Sequence, residues 1–404
     1  MNQKTLLQPN QFYPKNTELF NIIRYLGEGR TAYVYQVLDQ KGRHLALKVM
    51  HTDLNKEMQD MFKGERNNLR HLTSYLSAFD EHLTPQFYDD FDISSDEEFI
   101  AQELVQGEQI VNLEKSSGAI SEKTGTIIVE KFALVLQVLH ENMRKTYSDM
   151  KYQNIWWLED EQSIRVTDWN VIDDFTDEGM KRDLLKFATY AARIFVGQMP
   201  RTQGNLITED IRKNPNWEKL SFGTQHFLRK ALHTNPKYRY QSAKEMREDL
   251  VLLTQAWSWD RNELVKSLLE YLDEAESEDE RKIALAHYQR AKMLLEIANA
   301  TERYRLRPGD KDEYAHRINR GISGTDFIAI GLEFYASTDY KRALENFEAG
   351  YKKGSGDIAL YRRWRDLGKM AISVGEEFAQ YSKIMHDAVI ELNKENYSAA
   401  VRLF

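Results

Sequence analysis

The chain has 404 residues, no cysteine, 42% hydrophobic residues and a formal net charge of -8 at pH 7. This length is too great for a single ordinary core, so two or three domains are expected. The acidic balance argues against a general nucleic-acid or membrane-surface role, and without cysteine there are no disulfides and no thiolate metal sites. No apolar run is long enough to span a bilayer, and the first residues lack a signal-peptide core. We therefore expect a soluble, cytoplasmic protein.

The first part of the chain is predicted to form an extended leader and then β-strands. Residues 1–18 are polar and contain Pro9 and Pro14, which favours an extended segment. Three strands are predicted next, at residues 22–26, 33–38 and 44–50. Gly27 and Gly29 separate the first two strands, and the absence of a Cβ there lets backbone amides approach a triphosphate closely. An ordinary hairpin with turn glycines explains this loop equally well.

Two helices and one more strand are predicted before residue 147. Residues 54–73 have a helical pattern despite Gly64, residues 98–105 are strand-like, and residues 121–143 form a long helical pattern with one apolar face. The last of these helices leads directly into a stretch that contains Asp149, with Asn154 five residues on.

Asp149, Asn154 and the later Asp168 stand in an order and spacing that phosphoryl transfer needs. This arrangement supplies one proton acceptor and two ligands for Mg2+. Three fixed residue types match by chance in ~5% of chains of this size, so the pattern needs support from the rest of the sequence.

That support is a resemblance to the protein-kinase superfamily over about residues 20–253. Gly27-x-Gly29-x-x-Ala32-x-Val34 resembles the glycine-rich loop, with Ala32 in place of its third glycine. The sequence Leu-Ala-Leu-Lys ending at Lys48 resembles the strand motif that carries the phosphate-binding lysine.

The resemblance implies a role for each matching residue. Lys48 would contact the α- and β-phosphates of ATP and pair with Glu65, although a solvated surface position is the usual fate of a helical glutamate. Asp149 would accept the proton of the attacking hydroxyl, and Lys151, which resembles the lysine of serine/threonine kinases, would stabilise charge on the transferred phosphoryl group. The predicted nucleotide contacts are Gly27, Gly29, Val34, Ala46, Lys48, Glu65, Glu103, Val105 and Trp156, and the predicted Mg2+ ligands are Asn154 and Asp168.

Several departures from the family pattern concern regulation and the nucleotide pocket. Tyr147 and Ser148 replace the family's His and Arg, which argues against control by a phosphorylated activation loop. Asp168-Trp169-Asn170 replaces Asp-Phe-Gly, and the tolerance of Asn for positive φ is expected to preserve the turn. Trp156 stands where a leucine-like residue usually forms the floor of the adenine pocket, and its indole can either stack on adenine or block it.

The largest departure is a shortened activation segment. Asp183 resembles the aspartate that opens the large C-lobe helix and braces the catalytic loop, yet it follows Asp168 closely and no Ala-Pro-Glu motif lies between them. We therefore expect the usual peptide-docking ledge to be absent or rebuilt. Small-molecule kinases also lack this segment, but the sequence around Asn235-Pro236 and Arg239 resembles the end of a protein-kinase C-lobe and favours the protein-kinase branch.

The C-terminal third is predicted to be helical. Asp260 and Glu263 are spaced as a capping box. The stretch from Phe327 resembles a tetratricopeptide repeat in which Gly331 and Ala343 let two helices approach closely, with a plain helical bundle as the alternative. Steps of Ala-x-x-x-aromatic recur at Ala284–Tyr288, Ala343–Phe347 and Ala400–Phe404.

The predicted fold class is α+β, a two-lobed protein kinase-like fold with a small β-rich N-lobe and a helical C-lobe, followed by an all-α helical-repeat domain. The predicted boundaries are a leader at residues 1–18, the kinase-like domain at 19–256 and the helical domain at 257–404. The predicted function is an ATP- and Mg2+-dependent serine/threonine protein kinase whose helical tail binds a protein substrate or regulator. The alternatives are a pseudokinase scaffold that binds ATP without turnover and, third, a small-molecule kinase.

Overall fold

The protein is described from a computed structural model. The structure describes residues 6–14, 18–89, 91, 99–117, 120–170, 172–233, 236, 239–300, 306–322, 324–336, 339–353, 362, 364–366, 368–370 and 372. The chain forms two compact units, one made of residues 1–197 with 242–248 and the other of residues 198–241 with 249–404.

The first unit begins with an antiparallel six-stranded sheet. Its strands are β1 (Phe12–Tyr13), β2 (Phe20–Glu28), β3 (Ala32–Asp39), β4 (His44–Met50), β5 (Phe87–Tyr88) and β6 (Phe99–Glu103), in the spatial order β1-β2-β3-β4-β6-β5. Their side chains form one core that contains Phe20, Ile22, Tyr35, Val37, Leu45, Leu47, Phe99 and Ala101. The four strands predicted in this part of the chain are therefore present. Strand β2 is longer than predicted because Phe20 also packs in this core.

Helix α1, Lys56–Ser77, follows the fourth strand of the sheet. It begins at Asn55, whose side chain accepts a hydrogen bond from the backbone N–H of Met58 over 2.9 Å. Its buried residues recur every three or four positions, at Phe62, Glu65, Leu69, Leu72 and Leu76. Glu65 therefore lies on the buried face of the helix and is only 2% exposed.

The rest of the first unit is mainly helical. Its helices are α2 (Ile110–Ser117), α3 (Glu122–Gln137) and α4 (Asp177–Val196), and α3 continues into a π-helical turn, Val138–Asn142. This part of the unit also contains short strands. The strands β7 (Glu108–Gln109), β9 (Ile155–Leu158) and β10 (Ser163–Val166) form one small sheet, while β8 (Lys145–Thr146) pairs with β11 (Asp173–Asp174). These pairings fix the chain on both sides of residues 147–154, which we call the catalytic loop after its predicted role. A small β-rich lobe followed by a helical lobe is the predicted fold class.

The second unit is mainly helical where it is described. A short hairpin, β12 (Thr202–Gln203) with β13 (Leu206–Ile207), and two 3-10 turns come first, and the helices that follow along the chain are α5 (Phe222–Ala231), α6 (Ala243–Ala256), α7 (Arg261–Ser277), α8 (Arg281–Ala300), α9 (Pro308–Gly321), α10 (Gly324–Ala336) and α11 (Tyr340–Lys353). Helix α7 begins with the predicted capping box: Asp260 accepts from the N–H of Glu263 over 2.9 Å, and Glu263 accepts from the N–H of Asp260 over 2.7 Å. Within the described ranges, no helix has the length and apolar character needed to cross a bilayer.

Helices α10 and α11 occupy the stretch that resembles a tetratricopeptide repeat. A Cβ on Gly331 would lie 2.5 Å from the ring of Phe347 and 3.2 Å from the carbonyl oxygen of Ala343, so the missing side chain lets the two helices approach closely. The step Ala400–Phe404 lies outside the described residues. The described part of the C-terminal region is therefore helical as predicted, and its assignment to a particular repeat stays a prediction.

Candidate functional site

A cavity of about 700 Å³ lies in the first unit, between the six-stranded sheet and the catalytic loop. This volume is typical of a small-molecule or cofactor site. All the predicted site residues line it: Gly27, Gly29, Val34, Ala46, Lys48, Glu65, Glu103, Val105, Asp149, Lys151, Asn154, Trp156 and Asp168. Residues that are up to 141 positions apart in the sequence, Gly27 and Asp168, therefore meet at one cavity.

A buried ion pair forms one wall of this cavity. Lys48 lies on β4, opposite Val34 of β3 and Ile100 of β6, and its Nζ contacts Oε1 of Glu65. Burial by itself would lower the pKa of the Lys48 ammonium, but the carboxylates of Glu65 and Asp168 outweigh burial and hold the pKa above its usual value. A fixed positive charge therefore faces the cavity at neutral pH.

Charged and amide groups of the catalytic loop converge on Asp168. Nζ of Lys151 lies 2.6 Å from Oδ2 of Asp149 and 3.9 Å from Oδ2 of Asp168. The side-chain amide of Asn154 donates to Oδ2 of Asp168 over 3.3 Å. The φ angle of Asp168 is 70°, an uncommon conformation for a residue with a side chain and one that often occurs at functional sites.

The donor set around Asp168 suits Mg2+. One carboxylate and one amide oxygen are hard ligands, and Mg2+ commonly takes one or two protein carboxylates and completes its shell with substrate phosphates and water. Within the described ranges, no group of three or more His, Cys, Asp or Glu residues is arranged to hold a metal ion alone. The residues present therefore fit a metal that arrives with a phosphate ligand.

Trp156 lines the cavity and leaves it open. It lies on β9, where its register partners are Arg165 on β10 and Gln109 on β7. The indole shares the cavity wall with the small apolar side chains of Val34 and Ala46.

Two side chains of helix α4 hold the backbone of the catalytic loop by hydrogen bonds. Oδ2 of Asp183, a residue that is 1% exposed, accepts hydrogen bonds from the backbone N–H of Tyr147 over 2.7 Å and from Nε2 of His140 over 3.0 Å. Further along α4, the hydroxyl of Tyr190 donates to the carbonyl of Met150 over 2.9 Å. The loop backbone is therefore held at two points, on either side of Asp149.

Tyr147, which stands in the place of the family's histidine, connects the loop to the turn at Asp168. Its hydroxyl donates to the carbonyl of Asp168 over 3.1 Å, and its ring stacks on Trp169 with centroids 4.8 Å apart. Burial raises the pKa of this phenol well above its usual value, and the Asp168 carboxylate adds to the effect. Trp169 is in turn held by Asn68, whose side-chain amide donates to its carbonyl over 2.9 Å.

The structure corrects two details of the sequence interpretation. In the turn that follows β10, the residue with positive φ is Asp168. Asn170, for which positive φ was expected, is not among the described residues with positive φ. Helix α4 begins at Asp177 and not at Asp183, because the side chain of Thr176 caps it by accepting from the N–H of Gly179.

Residues 169–176 are all that remains between Asp168 and α4, and we call them the short segment. The short segment contacts the catalytic loop and the strand just before it. Its strand β11 pairs with β8, Ser148 Oγ donates to Asp173, and Lys145 pairs with Asp174 over 2.7 Å. The described residues of the short segment therefore lie close to the catalytic loop.

Several cavity residues were not identified from the sequence. They are Arg24, Leu26, Glu28, Arg30, Thr31, Met61, Gln102, Gln109 and Thr167. Gln102 follows from strand alternation, since it is opposite Ala46 in the register of β4 and β6. The position of Gln109 depends on its pairing with Trp156 across a separate sheet, which no local pattern indicates.

Comparison with known proteins agrees with this fold. Residues 20–200 match the family model of the protein kinase domain. The chain is 21% identical over 275 residues to serine/threonine-protein kinase zyg-8 of Caenorhabditis elegans. This alignment covers 58% of this chain and 33% of the relative. It is 22% identical over 268 residues to a probable serine/threonine-protein kinase of Clostridium perfringens. This alignment covers 57% of this chain and 38% of the relative. The chain thus spans little more than a third of the length of these curated relatives.

Proposed function

We propose that this chain, whose residues 20–200 form a protein kinase domain, transfers the γ-phosphoryl group of ATP to a serine or threonine hydroxyl. The observation that carries the proposal is the buried Lys48–Glu65 pair in the wall of a cavity that also presents Asp149 and Asp168. A cation fixed opposite two carboxylates is the charge pattern that a nucleotide triphosphate with a divalent metal requires.

The cavity divides into a part for the base and a part for the phosphates. The base would lie between Trp156 and the side chains of Val34 and Ala46, with the backbone of residues 103–105 at its edge. The phosphates would meet the ammonium of Lys48 and the backbone amides of the glycine loop.

Asn154 and Asp168 would hold Mg2+, which neutralises charge on the phosphates when it is bound. Asp149 would take the proton of the acceptor hydroxyl, since its carboxylate lies at the open end of the cavity and is 37% exposed. Lys151 is within reach of both Asp149 and Asp168, so its ammonium is placed to stabilise charge as the phosphoryl group moves between them.

The proposed acceptor is a protein, bound with the help of the C-terminal helices, which would recruit a substrate or a regulator. The short segment leaves little chain with which to build a peptide-docking ledge, so the helical region is the natural place for recognition. The use of ATP favours a cytoplasmic location, and no nucleic-acid role is proposed.

Phosphotransfer by the purified full-length chain tests this proposal. We expect wild-type protein with Mg2+ and γ-labelled ATP to label itself or a generic protein acceptor, and Asp149→Ala to abolish labelling while it retains Mg-ATP binding. Asp160→Ala is the matched control, because Asp160 is exposed in the turn between β9 and β10. Equal labelling by wild type and Asp149→Ala would reject the assignment.

A second candidate function is a pseudokinase scaffold that binds ATP without turnover. It is favoured by Ser148 and Asn170, which depart from the family motifs, and by the absence of room for a docking ledge in the short segment. A thermal-shift titration separates the two, since ligand at 100 times Kd adds ~2.7 kcal/mol of stability. A shift with Mg-ATP that is lost in Asp168→Ala, together with no labelling by wild type, would establish the scaffold.

A further inference from the structure

The strand that carries Lys48 is followed by a histidine that holds the tip of the glycine loop. His51 is 5% exposed and comes directly after β4. Its ring Nε2 lies 3.1 Å from the carbonyl oxygen of Gly29, and its backbone N–H donates to the carbonyl of Thr31 over 3.0 Å. Because a carbonyl oxygen can only accept, Nε2 carries the proton in this hydrogen bond.

The histidine ring is itself fixed in place. It meets the ring of Tyr33 edge to face, with centroids 4.2 Å apart. Its other nitrogen, Nδ1, is buried and has no hydrogen-bond partner among the described residues. His51 does not line the cavity, so its polar contacts are directed at the loop and not at a ligand.

These two contacts set the direction of the loop amides. In a trans peptide, the carbonyl of one residue and the N–H of the next point in opposite directions. The carbonyls of Gly29 and Thr31 point at His51, so the N–H groups of Arg30 and Ala32 point away from it. Gly29, Arg30, Thr31 and Ala32 all line the cavity, so the whole tip of the loop faces it.

His51 Nε2 also lies 3.8 Å from Oε1 of Glu28, at the end of β2. The two glycines leave open space around the tip. A Cβ on Gly27 would meet nothing within 4 Å, and a Cβ on Gly29 would meet only the carbonyl oxygen of Ala32, at 3.6 Å. Within the tip itself, the N–H of Gly29 donates to the carbonyl of Ala32 over 2.8 Å. Without the hydrogen bond from His51, the peptide plane after Gly29 is free to rotate, because glycine tolerates most backbone angles.

We propose that His51 is a positioning residue that orients the backbone amides of the glycine loop toward the triphosphate of ATP. The inference rests on the proposed function and adds a residue outside the cavity to the nucleotide site. It predicts a specific fault when the ring donor is lost: the phosphates bind more weakly while the base and ribose bind as before.

The test is binding of Mg-ATP and of adenosine to full-length protein by isothermal titration calorimetry. His51→Phe keeps the aromatic packing on Tyr33 and removes the donor, whereas His51→Gln keeps an N–H donor at a similar distance from the backbone. We expect His51→Phe to bind Mg-ATP about tenfold more weakly, with adenosine affinity unchanged, and His51→Gln to recover most of the loss. His44→Phe is the matched control, since His44 is exposed at the other end of β4.

His51→Asn provides a second variant if His51→Phe does not fold, because its shorter amide does not reach Gly29 and is expected to behave like the phenylalanine variant. Equal weakening of Mg-ATP and adenosine, or no weakening of either, overturns the role of His51 and leaves the proposed function standing. Failure of the wild-type protein to bind Mg-ATP overturns both.

Discussion

Glu65→Gln is the substitution for which the structure makes the sharpest prediction. The carboxylate of Glu65 is 3% exposed, and the side chain of Lys48 that it contacts is 13% exposed. Removal of one partner from a buried ion pair costs about 3–5 kcal/mol, because the other charge is left without compensation. Asp168 also acts on Lys48, so we expect the lower end of this range, about 3 kcal/mol.

This loss is large enough for a thermal-unfolding assay. For a unit of this size 1 kcal/mol corresponds to about 2–4 °C in Tm, so the transition of the first unit should fall by about 6–12 °C. Glu178→Gln is the control, because Glu178 pairs with Lys181 over 3.0 Å at the exposed surface of α4. An exposed pair of this kind contributes below about 1 kcal/mol.

The same variant has a predictable dependence on pH. In wild-type protein the pKa of Lys48 is raised, so its contribution to stability is complete below the ordinary lysine pKa of ~10.4 and is lost only as the pH rises through the still higher folded value. In Glu65→Gln, burial acts on Lys48 without its main counter-charge, and the pKa falls. Mg-ATP affinity of the variant should then begin to decrease at a lower pH than the affinity of the wild type. A variant with wild-type Tm and no pH dependence would refute the assignment of this pair.

Three further substitutions test other parts of the structure. Asp183→Ala should lower stability by about 3 kcal/mol and abolish turnover, since it leaves the buried N–H of Tyr147 without an acceptor. Asp183→Asn should cause a smaller loss, because a single oxygen of Asp183 accepts both hydrogen bonds. Thermal unfolding measures the stability of each variant, and labelling measures its turnover. Trp156→Ala should weaken Mg-ATP binding by about 1–3 kcal/mol in calorimetry, with Trp156→Phe closer to wild type, and equal affinity of both variants and wild type would exclude stacking. Gly331→Ala should destabilise the second unit by about 1–3 kcal/mol in thermal unfolding because of the aromatic ring 2.5 Å from its Cβ, whereas Gly309→Ala, with nothing within 4 Å, should not.

The sequence predicts the parts of the site that depend on local pattern. The strand around Lys48 and the amphipathic helix around Glu65 each have a clear period, and period determines which side chains share a face. The motif spacing and the family resemblance place Asp149 and Asn154 in one loop after a long helix. These predictions succeed because each one needs only a few neighbouring residues.

Features that depend on contacts between distant segments could not be predicted. The position of Gln109 is set by its pairing with Trp156, and the positive φ of Asp168 is held by the hydroxyl of Tyr147 on its carbonyl. The contact of His51 with Gly29 joins the end of one strand to the turn before another. None of these partners is marked by a motif, because hydrogen-bond partners across a fold leave no periodic trace in the sequence.

The contacts around the catalytic loop explain how it is organised beside such a short segment. Asp183 accepts from the backbone just before the loop's proposed catalytic carboxylate, Tyr190 donates to the carbonyl just after it, and Asp173 accepts from Ser148. All three partners are ordinary side chains that need no modification to make these bonds. The hydroxyl of Ser148 needs only the Asp173 carboxylate that the short segment supplies. The catalytic loop is therefore held by side chains of α4 and of the short segment, on both sides of Asp149.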